Sequence, residues 1–347
     1  MAYTTINKST DHFNTVTFTG NNSTQNITGV GFQPDWVWLK KRNGTANHHA
    51  VDAVRGVGYY LYPNLTNVQG GNGSSLLTAF GADGFTLDNG ADSNGSGATG
   101  VSWSWKAGTG AGSSNTNGSI NTASTSVNST AKFSISKYTG TGSAGATIGH
   151  GLGVKPSMII VKGITYAEEW EIYHKSLGAT KTIKLNNNAA ASTTSSRWND
   201  AEPTSSVFTV GNADATNKSG YDYIAYCFAN VDGYSKFGSY TGNGNADGAF
   251  VYTGFKPAFL ITKKTSATGP WDMFDNKRNV INPVNSRLHP NASDTEYTNS
   301  AMNIDFVSNG FKLRTTDNEL NTDNADYIYM AFGQSLVGTN NVPCTGR

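Results

Sequence analysis

Two steps of the form Asp-x-x-Arg, Asp52/Arg55 and Asp275/Arg278, are the residues of this chain best suited to chemistry. An arginine fork beside a carboxylate can recognise a glycan or a carboxylate ligand, because guanidinium presents paired donors in one plane. The same pair can also brace a loop internally. The third place where it should recur carries His174 and Leu177 instead while the surrounding landmarks persist. A pair duplicated in tandem and lost from one copy suits a brace better than a catalytic dyad.

Other candidates carry less. His48 and His49 adjoin, and adjacent residues of a strand face opposite ways, so they are poorly placed to share one metal ion. His12, His150, His174 and His289 are isolated. The segment Gly140 to Gly145, "GTGSAG", satisfies the dinucleotide spacing, but no helix signal follows, and the matching site "GNGNADG" is a turn. The acidic run Asp317 to Asp326 lacks the glycine and closing glutamate of a calcium loop. No nucleophile elbow or close carboxylate pair recurs, and no enzyme, cofactor or metal centre is expected. Trp36, Trp103 and Trp271, with sixteen tyrosines, could face a ligand as sugar-stacking aromatics. Paired strand tryptophans are more often core.

The elements that must position these groups emerge from internal repetition. "TFTGNN" (Thr17 to Asn22), "KYTGTG" (Lys137 to Gly142) and "SYTGNG" (Ser239 to Gly244) open three units. "GVSWSWK" (Gly100 to Lys106), "DYIAYCF" (Asp222 to Phe228) and "DYIYMAF" (Asp326 to Phe332) close them. Pro34, Pro156 and Pro257 each precede an apolar run that ends on lysine, and a proline at a strand entrance loses no ladder bond. Asp52, His174 and Asp275 each lie 18 residues beyond their proline (52−34, 174−156, 275−257). Leu61/Asn64, Leu185/Asn188 and Leu288/Asn291 then repeat a Leu-x-x-Asn step. "FGADGFTL" matches "FVSNGFKL", with "SVFTV" as a degenerate middle copy, and DGF and NGF predict tight turns with a residue at positive φ.

Composition agrees with strands. Charged residues are 14% and glycines number 40 in 347 residues, while Asn, Thr, Ser and Gly fill the polar positions and favour turns over helix interiors. The expected fold is all-β, with three tandem β-sandwich units. Residues 1–106 form the first and 107–131 a Gly/Ser/Thr/Asn-rich linker, flexible or lying on a partner. Residues 132–231 form the second unit, and 232–347 the third with a C-terminal tail. The formal charge of +1 is dispersed, so neither nucleic acid nor anionic membrane is an expected partner. No apolar run approaches the ~18 residues of a membrane span, and the first residues do not read as an export signal. Cys227 and Cys344 form neither a disulfide framework nor a metal spacing, and Cys227 reads as a small core residue.

The sequence of landmarks, an opening "TGN", "GFQPDWVWLKKR", Asp-x-x-Arg-Gly, Leu-x-x-Asn, "DGFTL" and a closing "YIAYCF", resembles the tandem-repeat modules of structural, tail-fibre-like proteins of marine tailed bacteriophages. The resemblance covers nearly the whole chain apart from the linker and the tail. It implies β-sandwich units of jelly-roll or lectin-like character in a virion component assembled in the host cytoplasm, with a role in host attachment. Other virion proteins and a host surface glycan are the implied partners, while open sheet edges with few edge lysines lead to an expected homo-oligomer, with a trimer favoured. With no heptad shaft and no long N-terminal anchor in the sequence, an outer capsid decoration or head fibre is the alternative, and a cellular carbohydrate-binding module a second one.

Overall fold

The computed structural model describes residues 4–72, 76–90 and 92–334; Cys344 and most of the tail lie outside them. Strands make up 42% of the chain and helices 3%, so the fold is all-β.

One strand order occurs three times. In the first unit an opening strand Phe13–Thr19 pairs with the closing strand Thr99–Trp105. That strand pairs with the lysine strand Trp36–Lys41, which pairs with a fourth strand His49–Asp52. The second unit repeats this with Phe133–Thr139, Asp222–Phe228, Met158–Gly163 and Glu171–His174. The third repeats it with Ser235–Thr241, Asp326–Gln334, Lys256–Lys264 and Trp271–Asp275. All pairs are antiparallel. The prolines hold one register position: Trp36, Met158 and Phe259, each two residues beyond its proline, pair with Trp105, Phe228 and Phe332. Only at Pro257 does the ladder slip, by a bulge before Phe259.

The sandwich-like units are not separate beads. Each of these main sheets, four-stranded in units one and three and seven-stranded in unit two, turns one face outward onto a private core beneath a small sheet. In unit one that core holds Val37, Leu39, Val51 and Phe85, under strands Gln25–Thr28, Leu77–Gly81 and Gly84–Leu87. The inner faces of all three sheets meet in one shared core, from Trp36 and Trp105 through Phe133 and Phe228 to Phe259 and Phe332. At its centre the equivalent residues Trp105, Phe228 and Phe332 touch pairwise, with ring centroids 5.9 to 6.5 Å apart. Burial on both faces explains why "WVWLK" and "MIIVKG" are buried throughout. Each large aromatic there removes ~150–250 Å² from water, on the order of 4–6 kcal/mol before entropy.

The opening motif needs its glycine for a close approach. Gly20, Gly140 and Gly242 donate their N–H to Ala98, Tyr221 and Ala325, and a Cβ at each would sit 2.2–2.4 Å from a carbonyl of the facing loop. The predicted two-residue turns form at Gly81–Gly84 and Val307–Gly310. Positive φ occurs only in the first, at Gly84 with φ 149°.

The linker expectation is corrected, since residues 107–131 are ordered on their own chain. The buried Asp35 carboxylate accepts N–H bonds from Ala107 (2.7 Å), Thr109 (3.1 Å) and Gly110 (2.6 Å). Gly118 to Ile120 then runs along the outer sheet of unit two, where Ile120 bridges Ile148 in parallel. Ser124–Asn128 adds a strand to the open edge of Phe133–Thr139. This segment compensates for the degenerate middle copy: "SVFTV" has no hairpin partner, and its outer sheet has only Ala146–Gly149 and Val207–Val210.

Candidate functional site

The residues singled out in the sequence converge on the seams between units. Asp52 and Arg55 are buried and joined at 2.6 Å. Arg55 also donates to the Ala50 carbonyl (2.9 Å) and to Gln69 Oε1 (3.3 Å). Asp275 and Arg278 repeat the pair at 2.5 Å, with Arg278 donating to the Met273 carbonyl (2.9 Å) and pairing with Glu296 (3.1 Å). Each carboxylate takes one further donor from the next unit. Tyr226 of unit two donates its hydroxyl to Asp52 Oδ2 (2.7 Å), and Trp103 of unit one its Nε1–H to Asp275 Oδ2 (3.0 Å). Where the third donor would be stands Met330, and where the third aspartate would be stands His174, which donates to the Tyr329 carbonyl (3.3 Å). Donor and buried carboxylate are lost together, as electrostatics requires of a buried charge.

Every seam repeats the same contacts. The lysine that ends each apolar run crosses to the neighbouring unit: Lys162 donates to the Thr66 carbonyl (3.1 Å), Lys263 to Asn188 (3.2 Å) and Lys40 to Ser293 (3.2 Å). Burial lowers all three lysine pKa values to about 8. Two residues further on, the carbonyls of Ile164, Thr265 and Arg42 accept from the N–H of Gln69, Ala191 and Glu296. The indoles of Trp170 and Trp271 donate to the Tyr62 and Lys184 carbonyls at 3.0 and 2.8 Å. His48, their counterpart, lies beside the His289 backbone, with its Nε2 lacking an ordinary hydrogen bond.

These contacts correct two expectations. Asn64 and Asn291 each accept a backbone N–H through Oδ1, from His48 (3.0 Å) and Trp271 (2.9 Å), but the equivalent in unit two is Asn186, which accepts from Trp170 (2.9 Å). The step there is Ile183-x-x-Asn186, and Asn188 stands two residues later as the acceptor of Lys263. Trp36, Trp103 and Trp271 are each at most 1% exposed, so they are core and cannot face a ligand.

Three equivalent residues escaped the sequence reading. Asn94, Asn217 and Asn321, each five residues before its closing strand, are fully buried. Asn217 Nδ2 donates to Ser143 and Gly211 carbonyls at 2.8 Å while its Oδ1 accepts from Thr141 N–H (2.8 Å), and Asn321 ties Thr315, Asn245 and Asn243 in the same way. Their common spacing was a usable signal, hidden by the abundance of asparagine.

Two other arrangements gather polar or charged groups. Asp272, His289 and Glu319 bring ligand atoms within 4.8 Å of one another. Arg287 lies among them, 3.2 Å from Asp272 and paired with Glu319, so a guanidinium already supplies positive charge there. A pocket of about 480 Å³ opens between units one and three beside Lys8, Phe13, Asn14, Ala258, Lys277 and Gln334, and among the described residues its lining carries no carboxylate, histidine or cysteine for acid–base work.

A family model described as a domain of unknown function, DUF7483, matches residues 8–335. The chain belongs to this family. The match runs through all three units as one domain, in keeping with their single core. No curated protein and no solved structure matches the chain.

Proposed function

We propose that this DUF7483 chain is a non-enzymatic structural component of a bacteriophage virion, a tail fibre or tail-associated protein that takes part in host attachment. The observation that carries the reading is the closed ring of three sheets, in which the conspicuous aspartates, arginines and lysines are spent on holding units together. Such a ring keeps its shape with no disulfide among the described residues, as a particle surface requires of a protein made in a reducing cytoplasm. The resemblance of the repeat landmarks to phage structural modules supports the same reading. In the proposed trimer, contact falls to outward features such as the uncharged opening strand Phe13–Thr19, because the inner faces are consumed within one chain; light scattering reads the mass.

The test is immunogold electron microscopy on purified particles with antibody to the full chain. Label on the tail is expected. Label on the head shell would make the protein an outer capsid decoration or head fibre. Its absence from particles, or release of reducing ends from polysaccharide by the pure protein, would overturn the reading.

A further inference from the structure

Each unit places one polar side chain on the outward face of its fourth strand, at one register position: His49, Glu171 and Asp272, opposite Leu39, Val161 and Thr262. All three are buried. In unit two the carboxylate is closed off by Arg197 (2.8 Å) and the Thr182 hydroxyl (2.6 Å). In unit three Arg287 and His289 close it. Among the described residues unit one has no such closure. Tyr60 stands where unit three has Arg287, both just before the bridging leucines Leu61 and Leu288.

A pocket of about 230 Å³ opens at this point, lined by His49, Tyr60, Tyr62, Leu76, Asn89 and Asp92. The His49 ring lies 5.2 Å from Tyr60 and 5.0 Å from Tyr62, and the two tyrosines are 5.2 Å apart. His49 Nε2 and Asp92 Oδ2 are separated by 3.9 Å, beyond hydrogen-bond reach but spanned by one bridging hydroxyl. His49 Nδ1 is buried without a partner. Burial lowers the His49 pKa to about 4, so the ring is neutral at pH 7 and can both donate and accept.

We propose that this pocket binds a single pyranose residue, with its apolar face against one ring of the tyrosine pair and a hydroxyl bridging His49 and Asp92. The chemistry selects this class. The two tyrosine rings meet edge to face at 68°, so one offers a stacking face, while a neutral imidazole and the Asn89 amide offer both hydrogen-bonding senses and Asp92 accepts from hydroxyls. The volume is below the roughly 300–1,000 Å³ of drug-sized sites, which limits the occupant to one ring. A cation is the competing occupant, because aromatic rings beside a carboxylate also suit ammonium or guanidinium groups.

The site gives the attachment reading a ligand, and it rests on that reading only for its biological meaning. Saturation-transfer NMR on the full chain, with methyl glucoside, galactoside, mannoside and N-acetylglucosaminide, and with tetramethylammonium and ethylguanidinium as cationic probes, tests it. At least one pyranoside should receive transfer at millimolar concentration. Its affinity should fall at least tenfold in Tyr62→Ala and in Asp92→Asn, and stay unchanged in Tyr252→Ala, an exposed tyrosine in unit three. Asp92 is half exposed, so its variant keeps the test valid if Tyr62→Ala fails to fold. Transfer to the cations alone, to no pyranoside, or undiminished in both pocket variants would overturn the proposal. Sugar binding by a protein missing from particles would overturn the virion reading and leave the pocket standing; particle label without sugar binding would do the reverse.

Discussion

Trp36 and Trp103 occupy the same shared core, yet they differ in what their indole N–H does. Trp103 donates to the buried Asp275, whereas Trp36 Nε1 has no hydrogen-bond partner. Trp103→Phe therefore leaves a buried carboxylate short of a donor, and it should cost about 1–3 kcal/mol more than Trp36→Phe in urea unfolding. Equal losses would mean that the indole bond contributes nothing. Arg278→Ala should be worse, about 3–5 kcal/mol, because it strands Asp275 in the seam, while leaving any sugar binding at His49 and Asp92 intact; both are read by melting and by NMR. The seam lysines predict a pH response. Their pKa values fall from 10.5 to about 8 on folding, so between pH 8 and 10.5 the unfolded chain holds more protons than the folded one. Stability should rise with pH in that window, by up to ~1.4 kcal/mol per pH unit for each lysine. The urea midpoint should increase from pH 7.5 to 9.5, and less so in Lys162→Met.

At the scale of elements, strand content, strand order and the closing motifs were legible because period-two patterning and recurring landmarks survive divergence. The register in the middle unit was not. Two overlapping frames, Ile183-x-x-Asn186 and Leu185-x-x-Asn188, both fit the motif, and only the count from the preceding landmark separates them, since Ile183 follows His174 by nine residues as Leu61 follows Asp52 (183−174, 61−52). The lengthened loop of unit three, where Leu288 follows Asp275 by thirteen (288−275), obscured that count. The tyrosine pocket left no trace in the sequence, because it depends on which unit fails to close it. Glycine and serine content suggested a loose linker, but order there comes from partners far along the chain, above all Asp35. Asp35→Ala removes the acceptor of three N–H groups, so limited proteolysis should cut between residues 107 and 113 in the variant and not in the parent chain. Equal cutting in both would show that the strand Ser124–Asn128 alone anchors the segment.

For the whole molecule, units one and three meet without being neighbours in the chain, and their seam is reinforced by charge. Glu296 pairs with Arg42 through both oxygens (2.8 and 2.9 Å) and with Arg278, where the matching position between units one and two is Gln69. Glu296→Gln imitates that other seam and should lower stability by about 1–3 kcal/mol, with the effect weakened by salt because the pair is partly exposed. With one core common to all three sheets, calorimetry should show a single transition with matching calorimetric and van't Hoff enthalpies. Separate transitions would mean that the units fold independently.

Joining three unlike units end to end also changes what the ring can offer its surroundings. Three identical subunits must show any surface feature in triplicate, and they gain avidity when a target is repeated. Among its described residues this chain carries the tyrosine-lined opening once and fills the matching places with its own arginines. It therefore gives up threefold equivalence within one ring and acquires a fixed polarity around its axis, with one flank unlike the other two.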